Sequence, residues 1–128
     1  MRSLWRSLKP RSYSSTLRCA SDTHRGVTFT IRRMSLGRRI ELAQAIRELA
    51  QKMEFHQAGD SAKEHVEAAA ISARIDLVYL KWGLTAVAGL LIDGEPVTAK
   101  RLYADGPDDL TREIVNRVKR ECGLTDEE

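Results

Sequence analysis

The pair Asp93-Gly94 is the feature of this sequence that most constrains its fold. Apolar residues precede the pair over residues 87–92, and residues 95–97 follow it as a second short extended segment. Asp-Gly favours the two-residue turn of a β-hairpin, because both central positions of that turn take positive φ. The sequence therefore predicts an antiparallel hairpin here, with residues 87–92 as one buried strand.

Residues 27–31 form another predicted strand, because apolar and polar side chains alternate along them as on a half-buried strand. Ser35 then provides an N-cap for a helix that runs to about His56. Apolar residues recur along this helix at spacings of three and four, which predicts one buried face. That stripe consists of Leu36, Ile40, Ala43, Ile46, Ala50 and Met53.

A second helix is predicted to start after the break at residues 58–60. Ser61 and Glu64 have the spacing of a capping box, in which each side chain bonds the backbone N–H of the other residue. Small and apolar residues then follow one face to about Trp82, and a narrow stripe of this kind allows close helix packing. The two helices are therefore expected to form an antiparallel hairpin.

The chain after the β-hairpin predicts a short helical turn over residues 98–103 and a last helix that opens at Gly106-Pro107. Gly123 is expected to end that helix. Its apolar stripe comprises Leu110, Ile114, Val118 and Cys122. The predicted fold class is α+β, in the order β-α-α-β-β-α. A small antiparallel sheet of about three strands would pack against the helical hairpin and the C-terminal helix.

Charge divides the chain at about residue 25. The chain has 128 residues, a net charge of +3 and a sequence pI of about 9.1. Residues 1–25 hold six of the 21 Lys and Arg residues and one acid, whereas residues 26–128 hold 15 basic and 17 acidic residues. The length is that of one domain. We therefore expect a basic Arg- and Ser-rich leader over residues 1–25 and one globular domain over residues 26–128.

Three interpretations of the leader remain open. Its composition matches a mitochondrial transit peptide, but also a disordered basic arm or an incorrectly assigned start. No apolar run approaches the length of a membrane span, so we expect a soluble protein without a membrane partner. The expected compartment is the cytoplasm, or the mitochondrion if the leader is a transit peptide.

No motif in the sequence predicts catalysis, a metal site or a cofactor. His56 and His65 flank one turn, but no third ligand and no metal-binding motif accompanies them. The sequence has no Gly-rich phosphate loop and no nucleophile elbow. We therefore predict a non-enzymatic protein without cofactors. The alternative is an enzyme subunit with a polar pocket around either histidine.

Basic and aromatic residues near the predicted helix ends are the candidates for partner binding. Four arginines bracket the start of the first helix, namely Arg32, Arg33, Arg38 and Arg39. The helix dipole disfavours cations there, so the arginines either pair with acids of the last helix or form a docking patch for an acidic partner. Tyr79 and Trp82 either anchor a partner or close the edge of the core. The predicted partner-binding residues are Arg38, Arg39, Tyr79 and Trp82.

Four short strings lie in the second half of the predicted domain. They are Leu80-Lys-Trp-Gly-Leu, Gly89-Leu-Leu-Ile-Asp-Gly-Glu-Pro, Gly106-Pro-Asp-Asp-Leu and Glu121-Cys-Gly-Leu-Thr-Asp-Glu-Glu. In these strings the domain resembles small tail-assembly proteins of tailed bacteriophages and prophages, most closely the tail assembly chaperone type. The resemblance carries no functional motif onto particular residues.

That resemblance implies a non-enzymatic factor that keeps the long helical tape measure protein soluble while tail-tube subunits gather round it. The expected partner is therefore a protein, such as the tape measure or the tail-tube protein. The acidic balance of the domain and its few aromatic residues argue against a nucleic-acid partner. The oligomeric state stays open.

Overall fold

The computed structural model describes residues 9–59 and 61–123 and has the predicted α+β fold. No helix in these two stretches is both long enough and apolar enough to cross a bilayer. The elements in chain order are β1 (Thr16–Ala20), β2 (Thr28–Arg32), α1 (Leu36–Gln57), α2 (Ala62–Gly83), β3 (Leu84–Ala88), β4 (Leu91–Ile92), β5 (Glu95–Pro96), α3 (Ala99–Asp105) and α4 (Asp108–Glu121).

The larger sheet is antiparallel with the strand order β1-β2-β3, so β2 is its central strand. Along β2, Phe29 and Ile31 are buried and the other three residues are half-buried, which confirms the predicted alternation. Cys19 of β1 and Val87 of β3 stand opposite Phe29 on its two sides. These side chains belong to the hydrophobic core that the helices complete.

The strand β1 lies inside the segment that the sequence assigned to the leader. The prediction that residues 1–25 lie outside the fold is therefore wrong for residues 16–25. Arg and Ser dominate the composition of the whole segment, and β1 contributes only Leu17 and Cys19 to the core. A strand with so few apolar residues is held by pairing across the sheet, which a local pattern does not reveal. Residues 1–8, the rest of the predicted leader before residue 9, lie outside the described residues, and the three interpretations of the leader stay predictions there.

The turn after β1 is fixed to α4 through the carboxylate of Glu113. The hydroxyls of Ser21 and Thr23 donate hydrogen bonds to Oε1 over 2.6 and 2.7 Å, and the backbone N–H of Asp22 donates to Oε2 over 2.6 Å. Burial acts to raise the pKa of Glu113, but the bonds from Ser21, Asp22 and Thr23 outweigh it and hold the pKa below its usual value.

This carboxylate is expected to make the stability of the protein depend on pH. Because the pKa of Glu113 is lower in the folded chain, its contribution is complete above the unfolded pKa and is lost as the pH falls through the folded pKa. Glu113→Gln should lower the free energy of unfolding by about 1–3 kcal/mol at pH 7. The difference from wild type should shrink at pH 3. Urea unfolding at both pH values measures this, with the exposed Glu95→Gln as control; an equal difference at both pH values would contradict it.

The helices α1 and α2 form the predicted hairpin and are the most extensively packed pair of elements. Ser35 and Ser61 cap them, since their hydroxyls accept the backbone N–H groups of Arg38 and Glu64 over 3.2 and 3.1 Å. The capping box also predicts a bond from the Glu64 carboxylate to the backbone N–H of Ser61, but this carboxylate contacts a histidine instead. The carboxylate Oε2 of Glu64 lies 2.6 Å from Nδ1 of His56, so it joins the start of α2 to the end of α1.

The buried face of α1 differs from the predicted stripe over the first half of the helix. Leu42 is 2% exposed, whereas Leu36 and Ile40 are 80% and 54% exposed. The side chains of Ile46, Leu49 and Met53, which continue the line of Leu42 along the helix, are half-buried. The sequence of α1 carries two apolar lines that meet near Ile46, and packing against the rest of the fold selects the line through Leu42.

The predicted strand over residues 87–92 is interrupted at Gly89, which has φ of +85°. Before it, β3 pairs with β2; after it, β4 pairs with β5 in a separate two-stranded sheet. The predicted hairpin turn is confirmed, with φ of 51° at Asp93 and 79° at Gly94. The third strand of the larger sheet is therefore β1 and not the return strand of the hairpin. Among the described residues, that return strand, β5, pairs with β4 alone.

The stripe of α4 forms the centre of the core, as predicted. Leu110, Ile114 and Val118 are fully buried, and Cys122 is 3% exposed. Burial raises the pKa of the Cys122 thiol to about 11, so this side chain is protonated at neutral pH and packs as a small apolar group. Gly123 follows with φ of +77°, the left-handed conformation expected after a helix end.

Candidate protein-binding surface

Two of the predicted partner-binding residues, Arg38 and Trp82, meet in one cavity. Arg38 lies in the first turn of α1 and Trp82 in the last turn of α2, so the helical hairpin brings them together. The cavity measures about 260 Å³. We call it the basic cleft, and its lining consists of Arg32, Arg38, Glu41, Lys81 and Trp82.

The cations of the basic cleft form no salt bridge with any acidic residue in the part of the chain that the structure describes. Among the described residues, neither Arg32, Arg38 nor Lys81 has a carboxylate oxygen within 4.0 Å of its charged nitrogens. The first turn of α1 also lacks an acidic residue, so the positive end of the helix dipole adds to the same potential. Arg33 and Arg39 likewise form no salt bridge with a described acid, so the alternative that the four arginines pair with acids of the last helix is wrong within the described residues.

Trp82 carries a hydrogen-bond donor that is shielded from the open space of the basic cleft. Its indole Nε1 is buried and has no hydrogen-bond partner. A buried N–H without an acceptor is unfavourable by about 1–3 kcal/mol. The basic cleft thus gathers three cations that form no salt bridge with a described residue, and the indole N–H of Trp82 lies buried beside it.

Arg39 points to a second feature on the other flank of α1. It lines an apolar groove of about 200 Å³ and is its only charged lining residue. The remaining lining residues are Met34, Leu42, Ala43, Ile46 and Cys122. Ala43 lines this groove and also lies on the same helix face as Leu36 and Ile40, because residues at i, i+4 and i+7 share one face. We call Leu36, Ile40 and Ala43 the exposed strip.

Tyr79 does not take part in either feature. It is 4% exposed and belongs to the core, so the alternative in which it closes the core edge is the correct one, and its assignment to partner binding is wrong for this structure. The ammonium of Lys119 lies 5.4 Å from the centroid of its ring and forms a salt bridge of 2.8 Å with Asp76. Burial raises the pKa of the Tyr79 hydroxyl.

The sequence did not identify Leu36 and Ile40 as surface residues, nor Lys81 as a neighbour of Arg38. The signal for Lys81 was available, because it precedes Trp82 at the end of α2 that the hairpin places beside the start of α1. No local signal distinguishes the exposed strip from the buried line of α1. Which line of α1 is buried depends on the elements of the fold that pack against the helix.

Neither His56 nor His65 lines the basic cleft or the apolar groove. His56 is paired with Glu64, and His65 is exposed. Within residues 9–59 and 61–123, no group of three or more His, Cys, Asp or Glu side chains is arranged to hold a metal ion.

These features describe a small α+β protein whose first helix presents an apolar strip beside an apolar groove and lines a basic cleft with another face. Comparison of the chain with protein-family models, with curated proteins and with solved structures found no match.

Proposed function

We propose that this protein is a non-enzymatic assembly factor that binds an apolar helical segment of another protein through the N-terminal half of α1. The observation that carries the proposal is the exposure of Leu36 and Ile40 next to the apolar groove. Contiguous apolar surface of this kind is typical of protein interaction sites. A groove beside a helix suits an amphipathic helix, which inserts its apolar side chains at helical spacing.

Further exposed apolar residues support a long client. Phe55 near the end of α1 and Val66 near the start of α2 are 72% and 67% exposed. Ile40 and Phe55 are separated by 15 positions on one helix, which corresponds to roughly 20 Å along its axis. A partner helix that followed the hairpin would therefore meet apolar side chains at both of its ends.

The specific version that we propose is a phage tail assembly chaperone, which keeps the tape measure protein soluble during tail assembly. The strings around Trp82, Asp93-Gly94 and Pro107 favour that family by resemblance. A tape measure protein is a long, helix-rich client, and the exposed strip offers the apolar surface that such a client needs to be shielded. Binding of this type requires no nucleotide and no cofactor.

Co-expression tests the proposal. The whole chain, including β1, would be produced together with helical segments of a tape measure protein, and the soluble fraction of the client would be measured. We expect the client to remain soluble and to co-purify with wild type, but not with the double variant Leu36→Ser/Ile40→Ser. The matched control is Gln44→Ser/Gln51→Ser, which changes two exposed polar residues of the same helix. Aggregation of every segment with wild type would overturn the chaperone assignment.

A further inference from the structure

We propose that residues 124–128 of this chain fold back over the apolar groove and cover it when no client is bound. These residues follow Gly123, the last described residue, and read Leu124-Thr-Asp-Glu-Glu. We call them the acidic segment. The observations that carry the proposal are the way in which α4 ends, the lining of the groove and the charge of the segment.

The end of α4 places the acidic segment beside the apolar groove. Cys122 caps the helix and lines the groove, and Leu124 lies two positions further on, within about 7 Å along the chain. Gly123 has φ of +77°, and its N–H donates to the carbonyl of Arg120 over 3.0 Å, as in a Schellman motif. That motif reverses the chain after the glycine and brings an apolar next residue back onto the helix end. Leu124 is thereby directed toward the groove.

The lining of the apolar groove suits an aliphatic side chain. Five of its six lining residues are apolar, and the larger ones are Met34, Leu42 and Ile46. Its volume of about 200 Å³ is smaller than the roughly 300–1,000 Å³ of small-molecule sites. Insertion of Leu124 would remove apolar surface on both sides from water, which is the main favourable term in such a contact.

The charge of the acidic segment complements that of the groove. Arg39 is the only charged residue in the lining and forms no salt bridge with a described residue. Its charge opposes the rise that burial causes in the pKa of Cys122, because it lies close to the end of α4. The acidic segment carries Asp126, Glu127 and Glu128 and no cation. Opposite charges therefore meet when Leu124 enters the groove.

Residues 1–8 are the alternative occupant within this chain. They contain apolar side chains that could fill the groove, but they also contain two arginines and no acid. Arg39 therefore repels their charge, whereas it attracts the charge of the acidic segment. This difference assigns the groove to residues 124–128.

The contact is expected to regulate client binding by competition, and in this respect alone it rests on the proposed function. The acidic segment and a client helix cannot fill the groove together. The apparent Kd of a client therefore rises by the reciprocal of the fraction of chains with an open groove. A chain that ends at Gly123 should bind a client helix more tightly than the whole chain, by roughly threefold or more.

Paramagnetic relaxation in the client-free protein locates the acidic segment directly. A nitroxide is attached to the whole chain through Glu128→Cys, since Cys19 and Cys122 are buried and react slowly. The methionine methyl groups are labelled with ¹³C. Met34 lines the groove, whereas Met53 lies roughly 25 Å along α1 from its start. We expect the nitroxide to broaden the Met34 signal strongly and to leave the Met53 signal close to that of the reduced sample.

Matched variants separate the apolar and the charged parts of the contact. Leu124→Ser should lower the ratio of covered to open groove by roughly tenfold, because the apolar contact is lost. Its neighbour Thr125→Ser should leave that ratio unchanged. Arg39→Gln should lower the ratio by roughly threefold. Arg47→Gln removes the same charge from an exposed position of α1 outside the groove and should have no effect.

Three results would overturn the proposal. They are equal broadening of Met34 and Met53, undiminished broadening of Met34 in Leu124→Ser, or broadening of Met34 by a nitroxide at Ser3→Cys but not at Glu128→Cys, which would assign the groove to residues 1–8. The sample contains no client, so failure here leaves the co-expression result intact. Conversely, failure of co-expression with strong, Leu124-dependent broadening of Met34 would reject the chaperone assignment and retain the covered groove.

Discussion

Removal of residues 1–25 is expected to lower the free energy of unfolding by at least about 5 kcal/mol, through lost core burial and lost hydrogen bonds. The deletion removes the whole of β1, together with the buried Cys19 and the half-buried Leu17. It also removes all three donors that bind the Glu113 carboxylate. Many domains of this size are stable by only about 5–15 kcal/mol, so the shortened chain should be largely unfolded.

Urea unfolding followed by circular dichroism measures this effect. The control is a chain that begins at Tyr13, which keeps β1 and the contact of Tyr13 with Arg33, whose guanidinium carbon lies 5.7 Å from the ring centroid. We expect the control to unfold cooperatively at a urea concentration close to that of wild type. Equal midpoints for the chains that begin at Tyr13 and at Gly26 would show that β1 contributes nothing to stability.

Gly89→Ala is the single substitution for which we expect the largest loss, about 3 kcal/mol or more, from combined backbone strain and steric overlap. Gly89 has φ of +85°, and a Cβ atom built on it would overlap the carbonyl oxygen of Gly26. That oxygen belongs to the backbone, so the overlap is relieved only if β2 and β3 move apart at this end of the sheet.

Gly94→Ala is the matched control for this substitution. Its φ of +79° imposes similar strain, but nothing lies within 4 Å of a Cβ atom at that position. We therefore expect a loss of only about 1 kcal/mol, the strain that an L side chain has at positive φ. Thermal or urea unfolding of both variants gives the comparison. Losses of equal size would mean that the close approach of Gly89 to Gly26 does not constrain the sheet.

Features set by neighbouring residues were predictable from the sequence. Ser35 and Ser61 cap helices because each hydroxyl reaches a backbone N–H three positions ahead. Asp93-Gly94 forms its turn because both residues tolerate positive φ. The burial of the α4 stripe was equally evident, since a single apolar face leaves only one way to pack.

Features set by distant residues were not predictable in the same way. The strand β1 depends on pairing with β2 and on Glu113, which lies about ninety positions away in sequence. Gly89 permits the break in the predicted strand through its positive φ, but its sequence neighbours do not reveal that the backbone of Gly26 approaches it.

The candidate site also contains some features that the sequence could predict and others that it could not. Arg38 and Trp82 meet because two long helices joined by a short loop place the start of one beside the end of the other. Tyr79, almost one turn before Trp82, lies in the core instead, where its ring is next to Lys119 of α4. Packing against the rest of the fold buries the apolar line of α1 that runs through Leu42. The other line stays at the surface as the exposed strip.

The central claim is that the exposed strip of α1 binds a helical client. Isothermal titration calorimetry of the whole chain with helical peptides that cover a tape measure protein tests it most directly, with Leu36→Ser/Ile40→Ser compared with Gln44→Ser/Gln51→Ser. Loss of two large apolar contacts should weaken binding by about 3 kcal/mol, or roughly a hundredfold in Kd. The polar control should bind like wild type. A Kd for Leu36→Ser/Ile40→Ser equal to that of wild type would contradict the claim.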